Sequence, residues 1–385
     1  MNASVPSSAI YLDHNATTPV PPEVVDAMQP YLTWSFGNPS SDHALGREAR
    51  RAVEEARGRV AALIGASDDE IVFTSGGTES NHLAIRGTAA VAPPSRRRIV
   101  TTVVEHPATT GACALLEAGG WSITRLPVSR EGVVDPQGAA QSIGEDVALV
   151  TIMLAQNETG ALMPVSDVAP VARARGALSH TDAAQAVSKI DVNVDRLGVD
   201  LLSIAGHKLY APKGVGALYI RSGTPIEPLT LGGGQERGLR PGTENVASIV
   251  ALGVAAQLAQ SRVAHDGELI ADLREQLWAG LVARIPGLVR HTPARRCLPN
   301  TLSLSFPGVL GREVLERAEG VLASTGSACH SGVDTPAATL LAMGVSPDVA
   351  LGAVRLSLGR STTREQVHAA VAIVGEAFAA AARRV

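Results

Sequence analysis

The sequence predicts an α/β fold: a mainly parallel sheet flanked by helices, with a smaller α+β domain attached. Three observations carry this. Between about residues 45 and 220, apolar strand-like runs (IVFTS, IVTTVVEH, VALVTIMLAQNE, LSHTD, VDLLSIAG, GALYIR) alternate with mostly helix-like segments, the order that builds a parallel sheet with helices packed on it. The runs are apolar on both strand faces, as strands covered from both sides must be. Aromatic residues make up only 3% of the chain while Ala, Val, Leu and Gly abound, a composition suited to closely packed helices over a buried sheet.

Taken in order, the first helix is predicted over Leu45 to Leu63, where Leu45, Ala49, Val53, Ala56, Val60 and Leu63 recur near helical period. IVFTS is followed by Gly76-Gly77-Thr78-Glu79-Ser80 and a helix-like SNHLAIRG. The remaining strand runs continue the alternation up to GALYIR. After GGGQERGLRPGTEN the composition changes: Thr243 is placed to cap a long Ala/Val-rich helix, which leads into a second helix, LIADLREQLWAGLVARI. TLSLSF and AVRLSLG are the strands expected of the smaller domain, and Thr362 with Glu365 forms a capping box before an alanine-rich last helix. The division that follows is residues 15–258 for the large domain, with 1–14 and 259–385 in the small one. A chain of 385 residues suits two such units.

Charge and cysteine usage narrow the function. With 33 basic and 37 acidic residues, the net charge of -4 gives no electrostatic basis for binding nucleic acid or an anionic membrane. The first residues, MNASVPSSAIYLDH, have neither a basic nor an apolar leader region, and no apolar run reads as long enough to span a bilayer. A cytoplasmic protein is the expectation. Cys113, Cys297 and Cys329 have no metal-type spacing and cannot form a disulfide framework, so no metal is expected.

Ligands of open α/β sheets bind beyond the carboxyl ends of the strands, and five runs here end in reactive or hydrogen-bonding groups. Gly76-Gly77-Thr78, His106, Asn157, Asp182 and the pair His207-Lys208 each follow an apolar run. The glycine turn before a helix suits a phosphate, or is only a strand-to-helix connection. Lys208 suits an aldehyde cofactor that forms a Schiff base, or is a surface loop lysine. Asp182 suits a carboxylate that keeps a pyridine nitrogen protonated, or caps the helix-like AAQAVSK. His106 and Asn157 fit stacking on such a ring and hydrogen-bonding its phenolic oxygen, or are ordinary capping residues. Arg355 and Ser357 share one face of AVRLSLG; the arginine is a carboxylate clamp or a structural ion pair. Cys329 lies in STGSACHSG, a tract of small residues beside His330 that favours an accessible, reactive thiolate; a free surface cysteine is the alternative. Cys113 reads as core, and Cys297 has no reactive context.

In the order GGTES, VEH, NETG, HTDAAQA, GHK, RPGTEN and GSACHSG, the chain resembles, almost end to end, the NifS/IscS-like cysteine desulfurases of the class V aminotransferase fold. The resemblance implies a fold type I homodimer carrying pyridoxal 5'-phosphate on Lys208. It places His106 over the ring, Asp182 at the pyridine nitrogen, and Asn157 and Gln185 near the phenolic oxygen. Gly77, Thr78 and His207 would hold the phosphate with Thr243 of a second subunit, and Arg355 with Asn15 or Asn38 the substrate carboxylate. The implied reaction converts L-cysteine to L-alanine. Lys208 and His106 move protons, and the Cys329 thiolate takes the sulfur as a persulfide for an acceptor protein of unknown identity.

Two departures bear on the substrate. Ala205 stands where many relatives carry a phosphate-binding serine, and a C-terminal extension that engages an iron–sulfur scaffold is expected to be missing. With ACHS, MLAQNETG and LSLGRSTTR, these look similar to the selenocysteine lyase branch, which leaves L-selenocysteine as the alternative substrate. A plain aminotransferase or β-lyase, which needs no thiol, also stays open. So does a cofactor-free interaction scaffold, against which Lys208 and Asp182 argue.

Overall fold

The computed structural model describes residues 9–325 and 335–383. Its strands in chain order are β1 (Ile10–Tyr11), β2 (Ile71–Thr74), β3 (Arg98–Thr102), β4 (Ser122–Leu126), β5 (Val147–Thr151), β6 (Leu178–Asp182), β7 (Leu201–Ala205), β8 (Gly216–Ile220), β9 (Val289–Arg290), β10 (Thr301–Ser305), β11 (Val321–Leu322) and β12 (Ala353–Ser357). Seven form one sheet in the order β2-β8-β7-β6-β5-β3-β4. Only β8 opposes the direction of the rest, so the mainly parallel sheet read from the sequence is present. All six predicted runs are strands. The seventh, β4, is not among the predicted runs: it is an edge strand with polar, partly exposed positions, and edges lack the two-sided burial that makes a strand legible.

Alternate residues of the sheet feed two apolar clusters. Ile71, Phe73, Val100, Val150, Leu202 and Ile204 face one, and Val72, Ile99, Leu149, Leu201 and Leu218 face the other. The helix Ala44–Ile64 covers the first face, as its periodicity predicts. It meets the helix Val246–Arg284 so closely that a Cβ on Gly253 would lie 2.6 Å from the Ala56 Cα; small residues are what allow that approach.

A separate core lies around β10 and β12, which pair antiparallel, with β9 on the far side of β10. Leu302, Leu304, Val354, Leu356 and Leu358 point into it with Ile10, Leu12, Leu273 and Leu277. Each buried leucine there stabilises the fold by roughly 1.5–3 kcal/mol.

Several local expectations are corrected. The two helices expected after residue 243 are one helix of 39 residues, Val246–Arg284, capped by the Asn245 side chain rather than by Thr243. It crosses from the sheet core at Ala255 and Ala256 to the second core at Ile270, so position 258 falls inside a continuous helix. It also holds a stretch that, by length and composition, is apolar enough to cross a membrane, contrary to the reading that no run is long enough. Its apolar side chains pack into the two cores instead, and 56% of that stretch is buried. The last helix, Arg364–Ala382, begins at a capping box one residue later than predicted, Thr363 with Gln366, because Thr362 instead accepts the Gly359 N–H. Residues 184–189 form turns rather than a helix.

Candidate active site

The strand ends converge on a cavity of about 260 Å³. At one end, β2 runs into Gly76, whose φ of 148° favours glycine, and the helix Gly77–Val91 begins with Gly77 and Thr78 lining the cavity. The first N–H groups of a helix have no partner within it, so these are donors for an anion. Glu79, in the same turn, is drawn aside by the Ser75 N–H at 2.6 Å and by Arg240 at 3.2 Å. Ala205 closes this end, its Cβ 3.2 Å from where a Gly77 Cβ would stand. His207 lies beside it with Nδ1 3.2 Å from Thr17 Oγ1. Burial, then Lys208, pushes this imidazole down to about 4, so it is neutral at pH 7.

Opposite, Asp182 ends β6 and is buried. Asn81 Nδ2 donates to Oδ2 at 2.6 Å and the Ala184 N–H to Oδ1 at 2.9 Å, which fixes the plane of the carboxylate. The backbone contact is the local capping role foreseen for Asp182, made to a turn. Asn81, one helical turn beyond Gly77, is a site residue that sequence reasoning missed; its spacing within SNHLAIRG was the available sign.

Along the sides, His106 caps the helix Pro107–Ala118, accepting the Ala108 N–H on Nδ1 at 3.1 Å. That bond leaves the proton of the neutral ring on Nε2, and burial, opposed by Asp182, lowers the imidazole from its usual value. Both the capping and the cavity-lining readings hold for this residue. Gln185 Nε2 donates to the Asn15 carbonyl at 3.0 Å. The Asn157 carbonyl accepts from Asn15 Nδ2 at 3.1 Å and from Arg355 Nη1 at 3.0 Å.

Lys208 reaches the middle of the cavity, where Nζ donates to the Asn15 and Ala16 carbonyls at 2.6 and 2.7 Å. Burial first and Arg355 second bring its ammonium from 10.5 down to about 8, against the attraction of Asp13 and Asp182. Arg355 enters from β12, where alternation puts it on the cavity side as predicted. It pairs with Asp13 at 2.8 Å, while its Nε is buried without a partner. The arginine is thus both an ion pair and a cavity group.

Asn38 is not brought to this cavity. Asn38 is exposed, its Oδ1 accepting the Ser40 N–H at 2.9 Å. Thr243 is exposed and lines a different cleft with Arg240 and Glu236. Cys329 lies outside the described residues. Among the described residues, the Ser324 backbone pairs with that of Arg355, and Thr339 Oγ1 donates to Glu158 at 2.8 Å. Cys113 is core, its thiol pushed up to about 12 by burial, and Cys297 Sγ accepts from Arg274 at 3.2 Å.

The residues fit pyridoxal phosphate: helix N–H groups at one end, a fixed carboxylate at the other, and between them a lysine with a depressed pKa. The comparisons agree with that fit. The aminotransferase class-V family model matches residues 10–370. The chain is 47% identical to "Cysteine desulfurase IscS" of Dictyoglomus turgidum over 93% of this chain and 92% of that protein. It is 45% identical to "Cysteine desulfurase NifS" of Azotobacter vinelandii, over 93% and 90%. Among solved structures, one titled "NIFS-LIKE PROTEIN" superposes with a TM-score of 0.90 at 38% identity, covering 96% of this chain and 98% of that one. "SspA in complex with cysteine" superposes at 0.80 with 35% identity, over 90% and 98%. The chain belongs to the aminotransferase class-V family, among its NifS/IscS-like cysteine desulfurases.

Proposed function

We propose that this protein is a pyridoxal-phosphate-dependent L-cysteine desulfurase, which leaves L-alanine and passes the sulfur through a persulfide on Cys329 to an acceptor protein. The observation that carries this reading is Lys208, lowered to about 8 and set between the helix N-terminus and Asp182. When bound, pyridoxal phosphate supplies an electron sink for the pair released at the substrate Cα. Gly77, Thr78 and His207 would hold its phosphate, Asp182 its pyridine nitrogen, Gln185 and Asn157 its phenolic oxygen, and His106 would lie beside its ring.

The chain's own groups do the rest. With a pKa of about 8, Lys208 takes up and returns a proton at neutral pH. His106 presents Nε2–H as a second acid–base group. Arg355, a cavity-lining guanidinium, holds the substrate carboxylate. Asn15 steadies Lys208 through its carbonyl and Asn157 through its amide. The Cys329 thiolate attacks the substrate sulfur: an S–S bond forms, the C–S bond breaks, and the electron pair stays with the carbon that becomes the alanine methyl.

Thr243, exposed and away from its own cavity, is assigned to the cavity of a second subunit in a homodimer. Exposed Leu32, Trp34, Phe36 and Leu231 supply apolar surface for such an interface.

Incubating the purified protein with cysteine and a reductant is expected to give alanine and sulfide in equal amounts. A Cys329→Ser variant with full turnover would overturn the persulfide step, and purified protein with no visible cofactor band would overturn the enzyme reading. A strong preference for L-selenocysteine would move the assignment to the lyase branch that Ala205 and the ACHS, MLAQNETG and LSLGRSTTR motifs resemble.

A further inference from the structure

Behind the cavity floor sits a second lysine that the mechanism does not use. Lys189 Nζ donates to Gln185 Oε1 at 2.5 Å and to Asn15 Oδ1 at 2.7 Å. Among the described residues no carboxylate lies within 4.0 Å of it. Burial holds its ammonium well below the usual lysine range, and Lys208 and Arg355 push it the same way. His14, Asp266 and Arg360 share with it a small void of about 20 Å³ on the side away from the cavity. Burying a lysine amine costs free energy unless it is hydrogen-bonded, and here its partners are two amide oxygens.

Its contacts have a geometric consequence. An amide has a donor end and an acceptor end, and both amides present their oxygens to the Lys189 Nζ N–H groups. Lys189 therefore selects the oxygen ends of both amides, and the nitrogen ends must face elsewhere. For Gln185, Nε2 is turned to the Asn15 carbonyl on the cavity side. For Asn15, Nδ2 is turned to the Asn157 carbonyl and to Thr301 Oγ1, at 3.1 and 2.8 Å. Asn300 Nδ2 reinforces the choice at Asn15 Oδ1, at 3.0 Å. Lys189 thus holds Gln185 Oε1 from one side while the Asn15 carbonyl holds Nε2 from the other.

We propose that Lys189 is a positioning residue: it locks the Gln185 amide so that an N–H, not a carbonyl oxygen, meets the phenolic oxygen of the cofactor. This rests on the reading of the cavity as a pyridoxal-phosphate site. An N–H there stabilises the phenolate and so keeps the proton affinity of the bound cofactor low; a flipped amide would repel it.

The test is a pH titration of the visible absorption band of the holoenzyme. In Lys189→Met the midpoint is expected to rise by about one pH unit, while the thermal midpoint of the protein stays or rises. Gln185→Leu is expected to raise the titration midpoint similarly, and the double variant no further than Gln185→Leu alone. Should Lys189→Met not fold, Lys189→Gln, which keeps N–H donors on a shorter stem, is expected to shift the midpoint the same way by less. A Lys189 variant that folds and titrates as wild type overturns the proposal, as do shifts that add in the double variant. A wild-type protein with no band at all overturns the cofactor reading, and this proposal with it.

Discussion

The two walls of the cavity are built differently. The large-sheet wall takes its groups from the ends of β2, β3, β5, β6 and β7, where each side chain is one or a few residues beyond a strand buried on both faces. The opposite wall contributes one charged side chain, Arg355, from a different core, tied across by Asp13 and the Asn157 carbonyl. The proposed cofactor contacts sit on the first wall, and the proposed carboxylate clamp, Arg355, sits on the second.

The sharpest way to break that contrast is Asp182→Asn. An amide keeps the shape but loses the charge, and the expected fall in kcat is about 10³-fold with little change in thermal midpoint, read by alanine formation. Arg355→Lys acts on the other wall: losing the two-pronged contact is expected to raise KM for cysteine about 10- to 100-fold and to change kcat less. Equal losses in kcat from both variants would erase the distinction between the walls.

Lys208 allows a pH test. Its folded pKa, about 8, is depressed from 10.5, so the neutral amine grows about tenfold per pH unit below 8 and levels above it. Capture of added pyridoxal phosphate by cofactor-stripped protein is expected to follow that curve. Continued acceleration up to pH 10 would mean an ordinary, solvated lysine. The smallest expected effect is that of Ala205→Ser, which sets a hydroxyl facing Gly77; one added hydrogen bond is expected to lower the Kd of the cofactor several-fold, measured by equilibrium titration.

The sheet was readable because burial on both faces leaves long apolar runs, and the first-rank site residues because they stand immediately after those runs. What was not readable lies one layer back. Asn81 and Lys189 sit within a helix and a turn, where nothing in a linear pattern says which neighbour their polar ends meet. Helix starts slipped by one or two residues, at Thr363 and Asn245, because adjacent Thr and Asn residues are all competent caps and tertiary packing chooses among them. Asn38 was placed at the site by resemblance, and it does not reach the cavity.

The helix Val246–Arg284 has a mechanical meaning. At 39 residues it is about 58 Å long, and it serves as a single beam with one end set in the sheet core and the other in the core behind Arg355. Tilting one core against the other must bend that beam, not swing a loop. Any change in the angle between the two cores therefore loads a helix as well as the contacts that tie Arg355 to Asp13 and Asn157.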